Sequence, residues 1–166
     1  MPEKETLERA ERDKEQGKSP STQAGEFIRE EMHHIREGKH GARSPQQAIA
    51  IGLSKARRAG VKLGPPKRRR SSTKVRKQAE RDLAKGRSHG RHTSPTRSRA
   101  TMNALKRERH SSASHSALSR QTRGAARRRG HSSLHRAAMK AVRTKGKSGL
   151  RRSAQKAART RTRRAR

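Results

Sequence analysis

The sequence predicts a mostly α-helical protein with extensive disorder, in which a small helical hairpin is joined to a basic, conditionally helical tail. Its 166 residues carry 47 Lys and Arg against 13 Asp and Glu, a formal charge of +34, and such a charge repels itself and attracts polyanions. Leu, Ile, Val and Phe together number 16 of the 166 residues, about 10%, and a share under ~20% in a highly charged chain indicates intrinsic disorder. A sixteen-residue sequence repeat also occurs three times near the C-terminus.

Composition divides the chain into four segments. Ten of the 13 acids lie in residues 1–37, so an acidic lead precedes a basic body. We therefore expect a charged, acidic-leaning segment at 1–21, a helical-hairpin domain at 22–64, a basic linker with short helices at 65–115 and a basic tail at 116–166. An alternative role for the acidic lead is to fold back on the tail and compete with nucleic acid.

The first segment is predicted to be a solvated helix. Glu5 with Arg9, and Glu8 with Arg12, are acid-first pairs four residues apart, which support a helix. Its apolar face would be limited to Leu7 and Ala10.

The hairpin is the one candidate for a globular core. Its first helix has Ala24, Phe27, Ile28, Met32 and Ile35 on one face and would end at Gly38. The second begins with Ser44 as cap, Pro45 at the first helical position and Gln47 reaching back. Its inner face is Ala48, Ile49, Leu53 and Ala56, and it would end at Gly60 with Val61 and Leu63 folding back. About 40 residues is the lower limit for independent folding, so the hairpin would need support from a partner, a second copy of itself or nucleic acid.

The second-helix sequence Gln47-Ala48-Ile49-Ala50-Ile51-Gly52-Leu53-Ser54-Lys55-Ala56-Arg57-Arg58-Ala59-Gly60 resembles a family of small basic bacterial proteins of unknown function. That family carries a K/Q-Q-A-I-A-I-x-L-S-x-A-R-x-A-G helix. The resemblance implies a compact helical module and a bacterial source, and no catalytic residues. The alanine- and arginine-rich tail resembles, in composition, the tails of linker-histone-like bacterial proteins.

The linker contains two basic features and one predicted helix. The Lys67–Arg70 run also fits a nuclear localisation signal, which the bacterial resemblance disfavours. Lys74 to Lys85 would form a helix ended by Gly86. Ser94-Pro95-Thr96-Arg97 is either a turn that presents Arg97 to a narrow minor groove or the start of a helix.

Each repeat in the tail is predicted to be a short basic amphipathic helix. The copies begin at Ser116, Ser132 and Ser148. Each of these serines is predicted to cap its helix, because serine is a good N-cap. The first two copies end in Gly130 and Gly146, since glycine suits the residue that ends a helix. Helices this short are marginal alone in water. We therefore expect them to be weakly helical when free and to order on a polyanion.

The predicted nucleic-acid contacts are the bases of the linker runs and of the repeats. They are Lys67, Arg68, Arg69, Arg70, Arg97, Arg120, Arg123, Arg127, Arg129, Arg136, Lys140, Arg143, Lys145, Arg152, Lys156, Arg159 and Arg161.

No catalytic, cofactor or metal site is predicted. Glu30 and Glu31 stand three residues before His33 and His34, which is half of a carboxylate–histidine metal site, but the second helix offers no matching acid. Local pairing on the helix surface is the preferred interpretation. His89 with His92, and His131 with His135, lie among positive charges that repel cations. No cysteine is present, no glycine-rich loop follows a strand, and no apolar run is long enough to span a membrane.

The sequence therefore favours a nucleoid-type DNA-binding protein in the bacterial cytoplasm that is not an enzyme. It would bind by neutralising phosphates, with steep salt dependence and low sequence specificity. RNA or ribosome association is the alternative partner. A protein-interaction adaptor acting through residues 22–64, or self-association through them, is a third hypothesis.

Overall fold

The computed structural model describes residues 2–68, 71–88 and 94–164. These residues form seven α-helices and no strand. The helices are α1 Lys4–Glu15, α2 Pro20–Arg36, α3 Pro45–Arg58, α4 Thr73–Arg87, α5 Pro95–Lys106, α6 His115–Arg129 and α7 His131–Arg164, with a 3₁₀ helix at His110–Ala113. The predominantly helical class is confirmed. The expectation of extensive disorder is not supported, because most of the linker and tail is helical as well.

The α2–α3 hairpin forms as the sequence predicts. Ser44 caps α3, with its Oγ accepting from the Gln47 amide at 3.3 Å, while Gln47 Oε1 accepts from the Arg43 amide at 2.8 Å. The predicted inner faces are buried or half-buried in two clusters. One contains Ala10, Ala24, Phe27, Ala56 and Val61, and the other Met32, Ile35, Ala42, Ala48 and Ala113.

Helix α1 packs on α2 rather than lying free in solvent. Thr6 and Ala10 are its buried residues, whereas Leu7 remains 42% exposed. The prediction of a solvated first helix is therefore wrong, and of its two apolar residues only Ala10 is buried. Arg9 joins the two helices, since its Nε donates to Glu26 Oε2 at 2.8 Å.

Helix α4 also packs against α3. Its buried Asp82 accepts from Arg58 Nε at 2.8 Å and from Ser54 Oγ at 2.7 Å, and both donors lie on α3. Gly86 was predicted to end α4, but the helix continues to Arg87. A Cβ at Gly86 would lie 2.1 Å from the Arg57 carbonyl oxygen, so this glycine permits close packing instead.

The chain divides into two compact units, Met1–Gln121 and Thr122–Arg166. In the first unit, Leu118 of α6 packs against the cluster that contains Met32 and Ala113. The core of this unit therefore draws on residues from the N-terminal segment to the first sixteen-residue repeat.

The second unit consists of helical segments separated by glycines. Gly130 has φ 74°, and Gly146 interrupts α7 with φ 65° and ψ 172°, a left-handed backbone that favours glycine. These positions confirm glycine as the end of the first two repeat helices. The predicted serine caps are wrong, because α6 starts at His115 behind Ser114, whose Oγ accepts from the Ala117 amide at 3.2 Å. Ser116, Ser132 and Ser148 lie inside helices.

Candidate nucleic-acid interface

The second unit carries only positive side-chain charge. Residues 122–166 contain 17 Lys and Arg and no Asp or Glu, so no carboxylate side chain of this unit can neutralise them. No side chain is buried among its described residues up to position 163. Of the predicted contact bases in this unit, all are exposed, and they are Arg123, Arg127, Arg129, Arg136, Lys140, Arg143, Lys145, Arg152, Lys156, Arg159 and Arg161.

The repeat places these bases in regular stripes along α7. Arg136, Lys140 and Arg143 are spaced i, i+4, i+7 and share one face of the segment before Gly146. Arg152, Lys156 and Arg159 have the same spacing after it. Each stripe spans seven residue steps, or roughly 10 Å of helix axis. Lys145 and Arg161 fall about half a turn away, so each segment presents bases on two sides.

The apolar side of these helices is exposed as well. Leu134, Met139 and Val142 are 41%, 51% and 40% exposed. The helices of the second unit thus bury little apolar surface, which is the usual source of helix stability in proteins. Burial therefore contributes little to these helices, and helix propensity and capping are the remaining local contributions.

The first unit contributes a separate basic groove of about 570 Å³. We call it the serine–arginine groove, and its polar lining includes Arg43, Arg107, Arg109, Arg120 and five serines. The serines include Ser44 and Ser114, which precede α3 and α6. Helix N-termini present unpaired amides that favour anions. Glu108 also lines it and lies 3.6 Å from Arg43 Nε.

Arg43, Arg107 and Arg109 were not among the predicted contact residues. Arg43 belongs to a basic turn that the sequence does show, but its approach to residues 107–109 depends on long-range pairing. The Gly41 and Ala42 amides donate to the Leu105 and Arg109 carbonyls at 2.9 and 3.1 Å. A search of the sequence for clustered bases would have identified Arg107 and Arg109 individually, but not the groove.

The predicted linker contacts are dispersed. Lys67 and Arg68 are exposed between α3 and α4, whereas Arg69 and Arg70 lie outside the described residues. Arg97 is exposed in the first turn of α5, with Ser94 at the N-cap position and Pro95 at the first helical position. The turn interpretation of Ser94–Arg97 is therefore wrong, and the helix-start alternative is confirmed.

A buried ionic cluster lies between α2 and α3. Lys55 Nζ approaches Glu31 Oε2 at 2.7 Å and Glu30 Oε1 at 3.2 Å, and both carboxylate side chains are 1% exposed. Burial alone would raise the pKa of Glu30, but hydrogen bonds from Thr6 and the Glu3 amide, together with Lys55, hold that pKa below its usual value. Burial would lower the pKa of Lys55, and its contacts with Glu31 and Glu30 outweigh that effect and raise it.

The histidines near this cluster do not pair as predicted. Surface pairing of Glu30 and Glu31 with His33 and His34 is wrong, because both acids are buried and His33 is exposed. His40, from the loop after α2, approaches Glu31 instead, with its Nε2 3.1 Å from Glu31 Oε1. In the second unit, the rings of His131 and His135 stack with centroids 6.4 Å apart. His89 and His92 lie outside the described residues.

Within the described part of the chain, no helix combines the length and the apolar character needed to cross a bilayer.

One part of the chain matches a known family. It comprises the end of the loop before α2, the α2–α3 hairpin and most of the segment between α3 and α4. A family model described as "Family of unknown function (DUF6496)" matches residues 17–68. The match agrees with the expected resemblance to a family without assigned function. No curated protein and no solved structure matches the chain.

Proposed function

We propose that this protein binds nucleic acid, and duplex DNA foremost, without sequence selection, as a histone-like protein of the bacterial nucleoid. The observation that carries the proposal is the second unit, in which 17 bases and no acid are displayed on helices with no buried side chain among its described residues. Such a surface carries a positive field that attracts polyanions.

The binding mechanism is phosphate neutralisation. Lys and Arg that contact phosphates release condensed counterions, and this release makes affinity fall steeply with salt. The stripes of α7 repeat the same three-base pattern on successive segments. Linked weak sites of this kind raise overall affinity through effective concentration. Contacts to the backbone carry no sequence information, so the protein would coat DNA rather than select a site.

The serine–arginine groove supports the proposal from the first unit. Arg107 and Arg109 offer charge-assisted hydrogen bonds to phosphate oxygens, next to residues that precede two helices. The adaptor hypothesis has less support, because α1 and α4 pack against the hairpin and cover much of what residues 22–64 would otherwise present.

RNA is the competing polyanion. The chain has a single aromatic residue, Phe27, and it is buried. Stacking of unpaired bases on Phe, Tyr or Trp is therefore not available to the exposed surface, which offers only histidine rings and arginine planes for that purpose. Duplex backbones are the better fit, and DNA and RNA duplexes must be separated by experiment.

The test measures binding to fluorescent DNA duplexes of two unrelated sequences and to an RNA duplex, over a series of salt concentrations. The triple variant R136Q/K140Q/R143Q should weaken DNA binding and reduce the slope of log K against log salt by about 2 to 3, at ~0.9 per lost phosphate contact. The matched control R12Q/R29Q/K62Q removes the same charge from exposed positions of the first unit and should leave the slope nearly unchanged. Equal slopes for the two triple variants, or tight binding to one DNA sequence alone, would contradict the proposal.

A further inference from the structure

Three side chains that can bind metal ions converge at the end of α2. Ligand atoms of Glu31, His34 and His40 all lie within 4.8 Å of one another. Glu31 and His34 are three residues apart on one helix face, and the loop after α2 returns His40 to them. The side chains of Glu31, His40 and His34 are 1%, 6% and 13% exposed, so the cluster is largely shielded from water.

Charge at this cluster favours a cation. Glu30 and Glu31 are both buried and share one ammonium group, that of Lys55. One buried negative charge therefore remains, and an uncompensated buried charge is costly. The Gly41 carbonyl oxygen can only accept, so His40 Nδ1 donates to it at 3.1 Å and Nε2 is the nitrogen without a proton in the neutral ring. This Nε2 faces Glu31 Oε1 at 3.1 Å, and either a second proton on the ring or a metal ion can lie between these two atoms. A third carboxylate, that of Glu3, lies beside His34, and Lys39 Nζ lies 3.2 Å from the same Glu3 oxygen.

Both histidines are held by oxygen atoms outside the cluster. His40 Nδ1 lies 3.1 Å from the Gly41 carbonyl oxygen, and His34 Nε2 lies 2.8 Å from Glu3 Oε1. Histidines that bind metals commonly have such a carbonyl or carboxylate partner, which fixes the ring and its tautomer. The loop itself is anchored by the hydrogen bond from the Gly41 amide to the Leu105 carbonyl, 2.9 Å.

We propose that Glu31, His34 and His40 form a binding site for a divalent cation of the zinc class. Two imidazoles and one carboxylate suit Zn²⁺ and not Ca²⁺ or Mg²⁺, which prefer oxygen ligands alone. The ion would link α2 to the loop that leads into α3 and so stabilise the first unit. The sequence suggested only half of such a site, because the missing ligand is a loop histidine and not an acid on the second helix.

The test uses the untagged full chain, freed of nucleic acid and of metal by chelation, and titrates it with ZnCl₂ in a calorimeter and in a thermal-unfolding assay. We expect one tight site whose occupancy raises the Tm, because a ligand that binds only the folded state stabilises it. MgCl₂ and CaCl₂ should have no such effect. H34Q and H40Q should each weaken Zn²⁺ binding at least tenfold and remove the rise in Tm.

Two control variants separate this site from other histidines. H33Q changes the exposed neighbour of His34, and H131Q/H135Q removes the stacked pair of the second unit; both should retain the tight site. Far-UV circular dichroism checks that each variant is folded, and H34Q, which is the less buried, decides the result if H40Q unfolds. Absence of a tight site, loss of it in H131Q/H135Q, or its retention in H34Q would overturn the proposal.

Discussion

Gly52 determines how closely α2 and α3 approach each other. A Cβ at this position would lie 2.8 Å from the Ile28 Cα and 3.0 Å from the Ile28 backbone nitrogen, and these backbone atoms cannot yield as a flexible side chain could. We therefore expect G52A to force the helices apart and to destabilise the protein by about 1–3 kcal/mol. The free energy of unfolding, measured with urea, checks this.

Gly25 provides a matched control on α2. Nothing lies within 4 Å of a Cβ built there, and its backbone is helical. G25A should stabilise the helix by roughly 0.5–1 kcal/mol, since alanine loses less entropy on folding. Equal changes in both variants would show that helix propensity, and not close packing, determines the cost at Gly52.

Individual buried residues were predictable where a helix face alone decides burial. Phe27, Ile35 and Ala48 were assigned to the core from spacing and are buried. Thr6, Glu31 and Asp82 are also buried, and no periodicity indicates this because polar residues are normally left outside. Their burial depends on partners far along the chain, such as Lys55 for Glu31 and Arg58 for Asp82. The acids and histidines of α2 could therefore be identified in the sequence. Their assembly with Lys55 and His40 could not be predicted.

Helix ends were predictable where a local signal fixes them. Ser44 caps the start of α3 and Gly60 follows its end, as expected. Gly130 and Gly146 end the repeat helices with positive φ. Gly86 failed as an end signal because glycine also serves close packing, and that use depends on where α3 lies. The serine caps predicted in the tail are wrong. More than one serine lies near the helix starts, and the repeat spacing does not determine which of them is the cap.

The helices of the second unit should depend on a polyanion for their stability. They lack buried side chains among the described residues, and each segment carries like charges four residues apart, such as Arg136 with Lys140, which repel in the helix. A peptide of residues 122–166 should therefore show a weak helix signal in circular dichroism at low salt. Saturating duplex DNA should raise that signal by neutralising the bases.

High salt supplies the control for this measurement. Salt dissociates the complex, so the added helix signal should disappear at a concentration that abolishes binding. A peptide that is fully helical without DNA, or one that remains unstructured at saturation, would contradict the dependence of these helices on the polyanion.

The chain combines a folded first unit with an exposed, positively charged second unit, and residues of the first repeat belong to both units. Leu118 packs against the core of the first unit, and Gln46 Nε2 donates to Gln121 Oε1 at 2.5 Å. The corresponding leucine of the second repeat, Leu134, is 41% exposed. A strict repeat in sequence thus serves two structural roles. The predicted start of the tail at 116 followed the repeat, whereas the structure places the division of units after Gln121.

Truncation at two points should separate these roles. A chain of residues 1–121 retains Leu118, so we expect it to keep the stability of the first unit while losing most of its DNA affinity and salt dependence. A chain of residues 1–115 should bind DNA as weakly and also unfold more easily, by about 1–2 kcal/mol for a half-buried leucine. Urea unfolding and DNA titrations over a salt series measure the two properties on the same samples.

L118A in the full chain should lower stability by a similar amount and leave the salt slope unchanged. An unchanged slope in the 1–121 chain would instead place DNA binding in the first unit, where the serine–arginine groove offers the phosphate contacts.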